Sequence, residues 1–310
     1  MSPLRTPSAR LDRKLLAALF VVYVVWGSTF LAMRIAIETL PPLLMAALRH
    51  GTAGLILLGV ALARGARLPS RREWASGAAI GLLILGVGNA SVAYAEQWVP
   101  SSLAAMIFAA IPLLASLVGG LFGKWPSRGE WLALILGLGG VLLISRQAAV
   151  ENVAGMGLLL AGAMGTALGV VLTPRLPRAP GLMGVAVQLL SAGAVVGVVS
   201  FVHGDRIPAN LSAASLGALA YLIVFGSVIA YAAYSHLLAT APPALATSNN
   251  FVNPVVAALL GATLAGEALG AVSLAGMALV LAALATLLPM KSRKVPPPIA
   301  APAELHNSLC

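Results

Sequence analysis

Four polar residues interrupt one long apolar stretch of this chain: Ser248, Asn249, Asn250 and Asn253. An amide both donates and accepts hydrogen bonds, so the cluster suits an uncharged or zwitterionic solute. Asn249 and Asn253 are four positions apart and share a helix face. The competing reading is bonding between helices, worth about 0.6–2 kcal/mol per contact. Asn89, with Ser91 and Tyr94 close by, lies deep in a second apolar stretch, and Tyr231 and Tyr234 lie late in a third. Tyrosine joins an apolar body to a polar tip, which fits the wall of a wet cavity. Near a membrane interface the same residue belongs to an aromatic belt. Trp26, in the middle of its stretch, is placed to stack on an aromatic or cationic ligand, or to pack between helices. Arg49 sits about 9 Å into its helix at 1.5 Å per residue. It either snorkels to the interface or pairs with carbonyls, or else it meets a substrate carboxylate or works as a gate. His50 reads as a buried neutral histidine. Pro112 and Pro254 each remove a backbone hydrogen bond near mid-stretch, making them candidate hinges against the alternative of static kinks.

Several kinds of chemistry are excluded. None of the nine acidic residues falls in mid-stretch, and Glu96 and Glu267 lie at rims. Proton and cation relays use buried carboxylates, so uniport or solute exchange is expected rather than carboxylate-driven proton antiport. Four scattered histidines and one cysteine, Cys310, make no zinc spacing and no disulfide within the chain. No glycine-rich phosphate loop ends in Lys-Ser/Thr. No catalytic residue, metal or cofactor is expected.

The elements that carry these residues follow from composition. The chain has 310 residues, 60% of them hydrophobic and 9% charged, with a mean hydropathy of +0.97. Soluble domains carry about 25% charged residues. A water-soluble enzyme, a nucleic-acid binder and a disordered chain are thereby excluded, and the expected partners are a lipid bilayer and a small solute. Oligomeric state has no signal in the sequence. Spanning a bilayer core takes about 20 apolar residues as a helix. Ten segments qualify: 15–33, 43–63, 76–95, 101–123, 131–145, 154–173, 182–202, 214–235, 244–266 and 271–288. Continuous apolar runs argue against a barrel, whose strands alternate. The expected class is an all-α integral membrane protein.

Basic residues orient it. With the N-terminus (1–14) in the cytoplasm, that side holds fifteen Lys and Arg, and the outer side three: Arg34, Arg146 and Arg206. Such a bias is a positive-inside signal, and it places both termini in the cytoplasm. The first apolar run is longer than a signal-peptide core and lacks a small-residue cleavage pattern, so it reads as a retained helix. Residues 289–310 are Pro-rich and read as a disordered cytoplasmic tail.

The two halves resemble each other. Residues 102–112 align with 244–254, Pro112 on Pro254, and Gly119 on Gly261. Trp26-Gly27-Ser28 falls on Met164-Gly165-Thr166, and Pro42 on Pro180. Two units follow, 15–145 and 154–288, each of five helices. An odd number of crossings makes the second unit inverted with respect to the first, an arrangement common in secondary transporters.

At these residues the chain resembles the EamA family of the drug/metabolite transporter superfamily. The matching stretches are Trp26-Gly-Ser-Thr-Phe30, Pro41-Pro-Leu-Leu-Met-Ala-Ala-Leu-Arg49, Pro100-Ser-Ser-Leu-Ala-Ala105 and Ile111-Pro112. In the second half they are Pro243-Ala-Leu-Ala-Thr-Ser248, Val252-Asn-Pro254 and Gly266-Glu-Ala-Leu269. The resemblance implies ten helices in two inverted repeats around a central cavity, lined by the first, third, fourth, sixth, eighth and ninth. Within the family it is similar to bacterial inner-membrane exporters, one type of which is associated with aromatic amino acids. Two departures are Gly123-Lys124, where a Gly-Glu pair is usual, and Met164 opposite Trp26. The expected function is export of amino acids or related metabolites by alternating access. The alternatives are export of another metabolite or a toxic cation, a membrane enzyme on lipid-linked substrates, and a non-transporting scaffold.

Overall fold

A computed structural model describes residues 13–123, 152–240, 249–264 and 270–285, with scattered positions between 125 and 143. The described elements are helical. They are α1 (Arg13–Ala36), α2 (Pro42–Ala63), α3 (Arg71–Gly81), α4 (Ala90–Ala95), α5 (Ser101–Phe108) and α6 (Ile111–Leu121), followed by α7 (Val153–Leu172), α8 (Gly181–His203), α9 (Ala213–Ile223), α10 (Ala230–Thr240), α11 (Asn249–Leu264) and α12 (Ala271–Ala285). Seven stretches are long and apolar enough to cross a membrane, and α11 and α12 are shorter apolar helices. The expected fifth segment, 131–145, and the tail, 289–310, lie largely or wholly outside the described residues.

The outside of the bundle is apolar. Phe20, Leu55, Val198 and Phe201 are 66%, 63%, 63% and 70% exposed. In water each would forfeit about 1.5–3 kcal/mol of burial; against lipid tails that loss vanishes. The polar side chains Arg49, Ser91, Thr166 and Ser227 lie inside instead. Helix starts follow local chemistry. Pro42 opens α2, where its missing N–H costs nothing. Ser70 and Glu73 form a reciprocal capping box on α3, and Arg67 forks onto Glu73 at 2.8 and 2.6 Å.

Two of the expected spans are not continuous α-helices. The third passes from α3 to α4 through a π segment, Leu82–Asn89, and the eighth from α9 to α10 through another, Val224–Ile229. At the end of the first, the Ala90 N–H bonds the carbonyls of Leu85 and Val87. At the end of the second, the Ala230 N–H bonds those of Phe225 and Ser227. An α-helix would use Gly86 and Gly226 there. Those two glycines stand 140 positions apart, each three residues before the last residue of its segment. The fourth span also departs from the expected kinked helix. It breaks into α5 and α6 at Ala109–Ala110, and Pro112 takes the second position of α6, where a proline is tolerated.

Packing joins the halves. α2 lies along α8. Small residues set that distance, since a Cβ on Gly193 would meet the backbone of Gly51, and one on Gly54 would meet Leu190. α1 packs on α9, α10 and α11, while α7 packs on the first π segment, α4 and α6. Each of these relations has a counterpart in the other half.

Candidate functional site

The sequence Trp26-Gly27-Ser28 has three separate jobs on one turn of α1. Trp26 Nε1 donates to the Gly226 carbonyl at 3.1 Å, the carbonyl that the Ala230 N–H passes over. Gly27 lets α11 approach, because a Cβ there would lie 2.5 Å from Val256 Cβ and 3.2 Å from the Asn253 carbonyl. The Ser28 and Tyr221 hydroxyls share a hydrogen bond of 2.7 Å. The Trp26 ring meets Tyr231 edge-on, with centroids 5.3 Å apart, and Tyr234 at 4.9 Å.

Arg49 occupies the centre of this arrangement. It does not snorkel: it is 3% exposed, and its head stays among the helices. Nε donates to Ser227 Oγ at 3.1 Å and Nη1 to Asn89 Oδ1 at 3.1 Å. Nη1 also points at Met33 Sδ, 3.4 Å away, a weak acceptor. Asn89 is the last residue of the first π segment, and Ser227 lies inside the second. One side chain from α2 thus bonds both irregular segments. His50, beside it, is buried, and neither ring nitrogen has a hydrogen-bond partner among the described residues.

The other candidate residues are distributed unevenly. Trp26, Asn89, Tyr231 and Arg49 come together. Tyr94 does not join them; its ring lies edge-on to Trp98 and His203, at 5.5 and 6.3 Å. Asn249 is buried at the start of α11, and Asn253 Oδ1 is buried without a hydrogen-bond partner among the described residues. Asn253 borders α1 at Gly27. Ser248, and the side chains of Asn250 and Pro254, lie outside the described residues. Pro112 begins α6 rather than bending a continuous helix.

Ser227, Tyr221 and Met33 were not among the candidates read from sequence. Ser227 and Tyr221 are mid-span polar residues, and that signal was available; Met33 carried none. Glu96 follows the end of α4 and is fully buried, at 0% exposure. Arg34 Nη1 donates to its backbone carbonyl at 2.6 Å and to that of Val99 at 3.2 Å, which holds the α1 end over this turn.

Comparison with known proteins decides the class. The EamA-like transporter family pattern matches residues 13–146 and again 153–288. The chain belongs to the EamA-like transporter family. The protein is a multi-pass membrane transporter of the drug/metabolite transporter superfamily, and not an enzyme. Among relatives, "Uncharacterized inner membrane transporter YedA" of Escherichia coli K12 is 42% identical over 257 residues, covering 82% of this chain and 84% of that protein. "Protein PecM" of Dickeya dadantii is 28% identical over 265 residues, covering 84% and 87%. A solved crystal structure, 20% identical, superposes with a TM-score of 0.64 over 88% of this chain and 96% of that one, a likeness of fold. The two EamA-like matches meet at the Arg49 cluster, since Arg49 and Asn89 belong to the first and Ser227 to the second.

Proposed function

We propose that this EamA-like protein is a secondary transporter working by alternating access, with ten membrane helices in two inverted five-helix repeats, 15–145 and 154–288. Its cargo is an amino acid, aromatic ones included, or a related metabolite, moved outward across a bacterial-type inner membrane by uniport or exchange. Both termini face the cytoplasm, on the side favoured by basic residues.

One observation carries this reading: the polar centre is built jointly by two halves whose packing relations correspond. α1 packs on α9, α10 and α11 as α7 packs on α3, α4 and α6. Two halves that can each adopt the other's conformation alternate access around a fixed site near their interface. Residues from both halves meet at Arg49, and the partners they supply come from the two irregular segments. A static scaffold has no use for such a pair. An inner-membrane location draws support from the Escherichia coli relative YedA, an inner membrane transporter, and the outward direction from the resemblance of the motifs alone.

The test is radiolabelled amino-acid flux in proteoliposomes of the full chain, comparing wild type with Asn89→Ala and Asn253→Ala. Saturable flux lost in Asn89→Ala supports a site at the π segments, and loss confined to Asn253→Ala moves it to α11. Folded wild type that moves no amino acid refutes the cargo. A flux that climbs steeply with an imposed pH gradient refutes uniport and exchange, and turns attention to the buried Glu96.

A further inference from the structure

We propose that Arg49 is the receptor for a carboxylate on the transported solute, and that the solute carries an apolar or aromatic body beside that carboxylate. This rests on the transport reading above and specifies its cargo.

The argument begins with an electrostatic imbalance. The guanidinium is a permanent cation with five N–H donors. It is 3% exposed, and its acceptors among the described residues are a hydroxyl, an amide oxygen and a thioether. All three are uncharged. Glu96, the other buried charge, attracts it through space but makes no hydrogen bond to it. Taking a cation out of water costs several kcal/mol, and neutral dipoles return only part of it. A carboxylate returns more, because it brings the opposite charge and two oxygens that match the planar fork. A cationic solute meets the reverse, like charges in a low dielectric.

The neighbourhood supplies the second half of the specificity. Ser227 follows Gly226, whose carbonyl holds the Trp26 indole, and Trp26 is in ring contact with Tyr231 and Tyr234. A cationic fork therefore adjoins an aromatic trio. Trp26, Tyr231 and Tyr234 are each only half-buried, unlike Arg49 and Ser227. On this proposal the carboxylate meets the fork while the apolar body lies against the rings. When its carboxylate takes the N–H group that Ser227 holds, it also loosens a tie between the two halves.

The test uses purified full-length protein and ligand-induced thermal stabilisation. Three probe pairs differ only by carboxylate against carboxamide: L-tryptophan and L-tryptophanamide, L-leucine and L-leucinamide, and 3-phenylpropionate and 3-phenylpropionamide. In wild type, the acid of at least one pair should bind about tenfold more tightly than its amide, the advantage of a charged over a neutral acceptor. Arg49→Gln should erase that preference, leaving acid and amide with equal affinity. If Arg49→Gln does not fold, Ser227→Ala decides, because it frees an N–H and should tighten the acid more than the amide, widening the preference. Three results overturn the proposal: a preference that survives Arg49→Gln, acid and amide shifting together in Ser227→Ala, and no preference in any wild-type pair. Saturable flux of amides or amines without carboxylate preference overturns it while transport stands. Carboxylate-selective binding without flux does the opposite.

Discussion

Arg49 Nε donates to Ser227 Oγ at 3.1 Å across 178 positions of chain, from the first family-matched stretch to the second. This bond and its neighbour to Asn89 hold a charge where a charge is costly. Arg49→Met keeps an unbranched chain of similar reach and removes the cation. The lost contacts are worth about 0.6–2 kcal/mol each, whereas the relieved desolvation amounts to about several kcal/mol. The variant should therefore melt in detergent at or above the wild-type temperature, with carboxylate flux lost. A lower melting temperature together with intact flux would show Arg49 to be a structural staple.

Trp26→Phe separates the indole hydrogen bond from ring packing. The phenyl ring keeps contact with Tyr231 and Tyr234, while the Gly226 carbonyl loses its indole donor. Stability should fall by about 1 kcal/mol, within the range for a hydrogen bond between membrane helices. Trp26→Ala should cost about 3–5 kcal/mol, because a large ring leaves a cavity. Chemical denaturation in mixed micelles would distinguish the two, and equal losses would mean the indole N–H contributes nothing.

The closest approach of α2 and α8 gives a paired test with glycines. A Cβ on Gly193 would press on the backbone of Gly51, which cannot swing away as a side chain can. Gly193→Ala should destabilise by about 1–3 kcal/mol, the usual cost of overpacking. Gly59, also in α2, has nothing within 4 Å of such a Cβ. Gly59→Ala should be neutral or gain about 0.5–1 kcal/mol from helix propensity. Thermal melts of both variants check this, and similar behaviour would contradict the close crossing.

Outside the apolar spans, Ser70 accepts from the Glu73 N–H and Glu73 returns a bond to the Ser70 N–H at 2.8 Å. Ser70→Ala should cost about 1 kcal/mol by uncapping α3. Amide hydrogen exchange in the first turn of α3 should speed up while exchange in α8 is unchanged. Acceleration in both helices would mean that the cap supports the bundle and not just its own helix.

The sequence by itself determined that this chain is helical, spans a membrane several times and belongs with transporters. Those properties come from residue types read along the chain: apolar runs of about 20 residues, sparse charge and short motifs in order. It also marked Trp26, Asn89, Tyr231 and Arg49 as polar or aromatic groups at depth. Their assembly was decided only in three dimensions. Arg49 could not be told from a snorkelling arginine, because position along a helix says nothing of which neighbour it faces. Glu96 read as a rim residue for the same reason, since depth is not burial. The π segments were invisible because Leu82–Asn89 has the composition of any apolar helix, and its irregular bonds depend on the helices packed around it. Pro112 announced a disturbance, but whether the helix bends or divides rests on what its neighbours allow. Hydropathy is a property of each residue, whereas the bond from Arg49 to Ser227 exists only once packing has brought two distant stretches together.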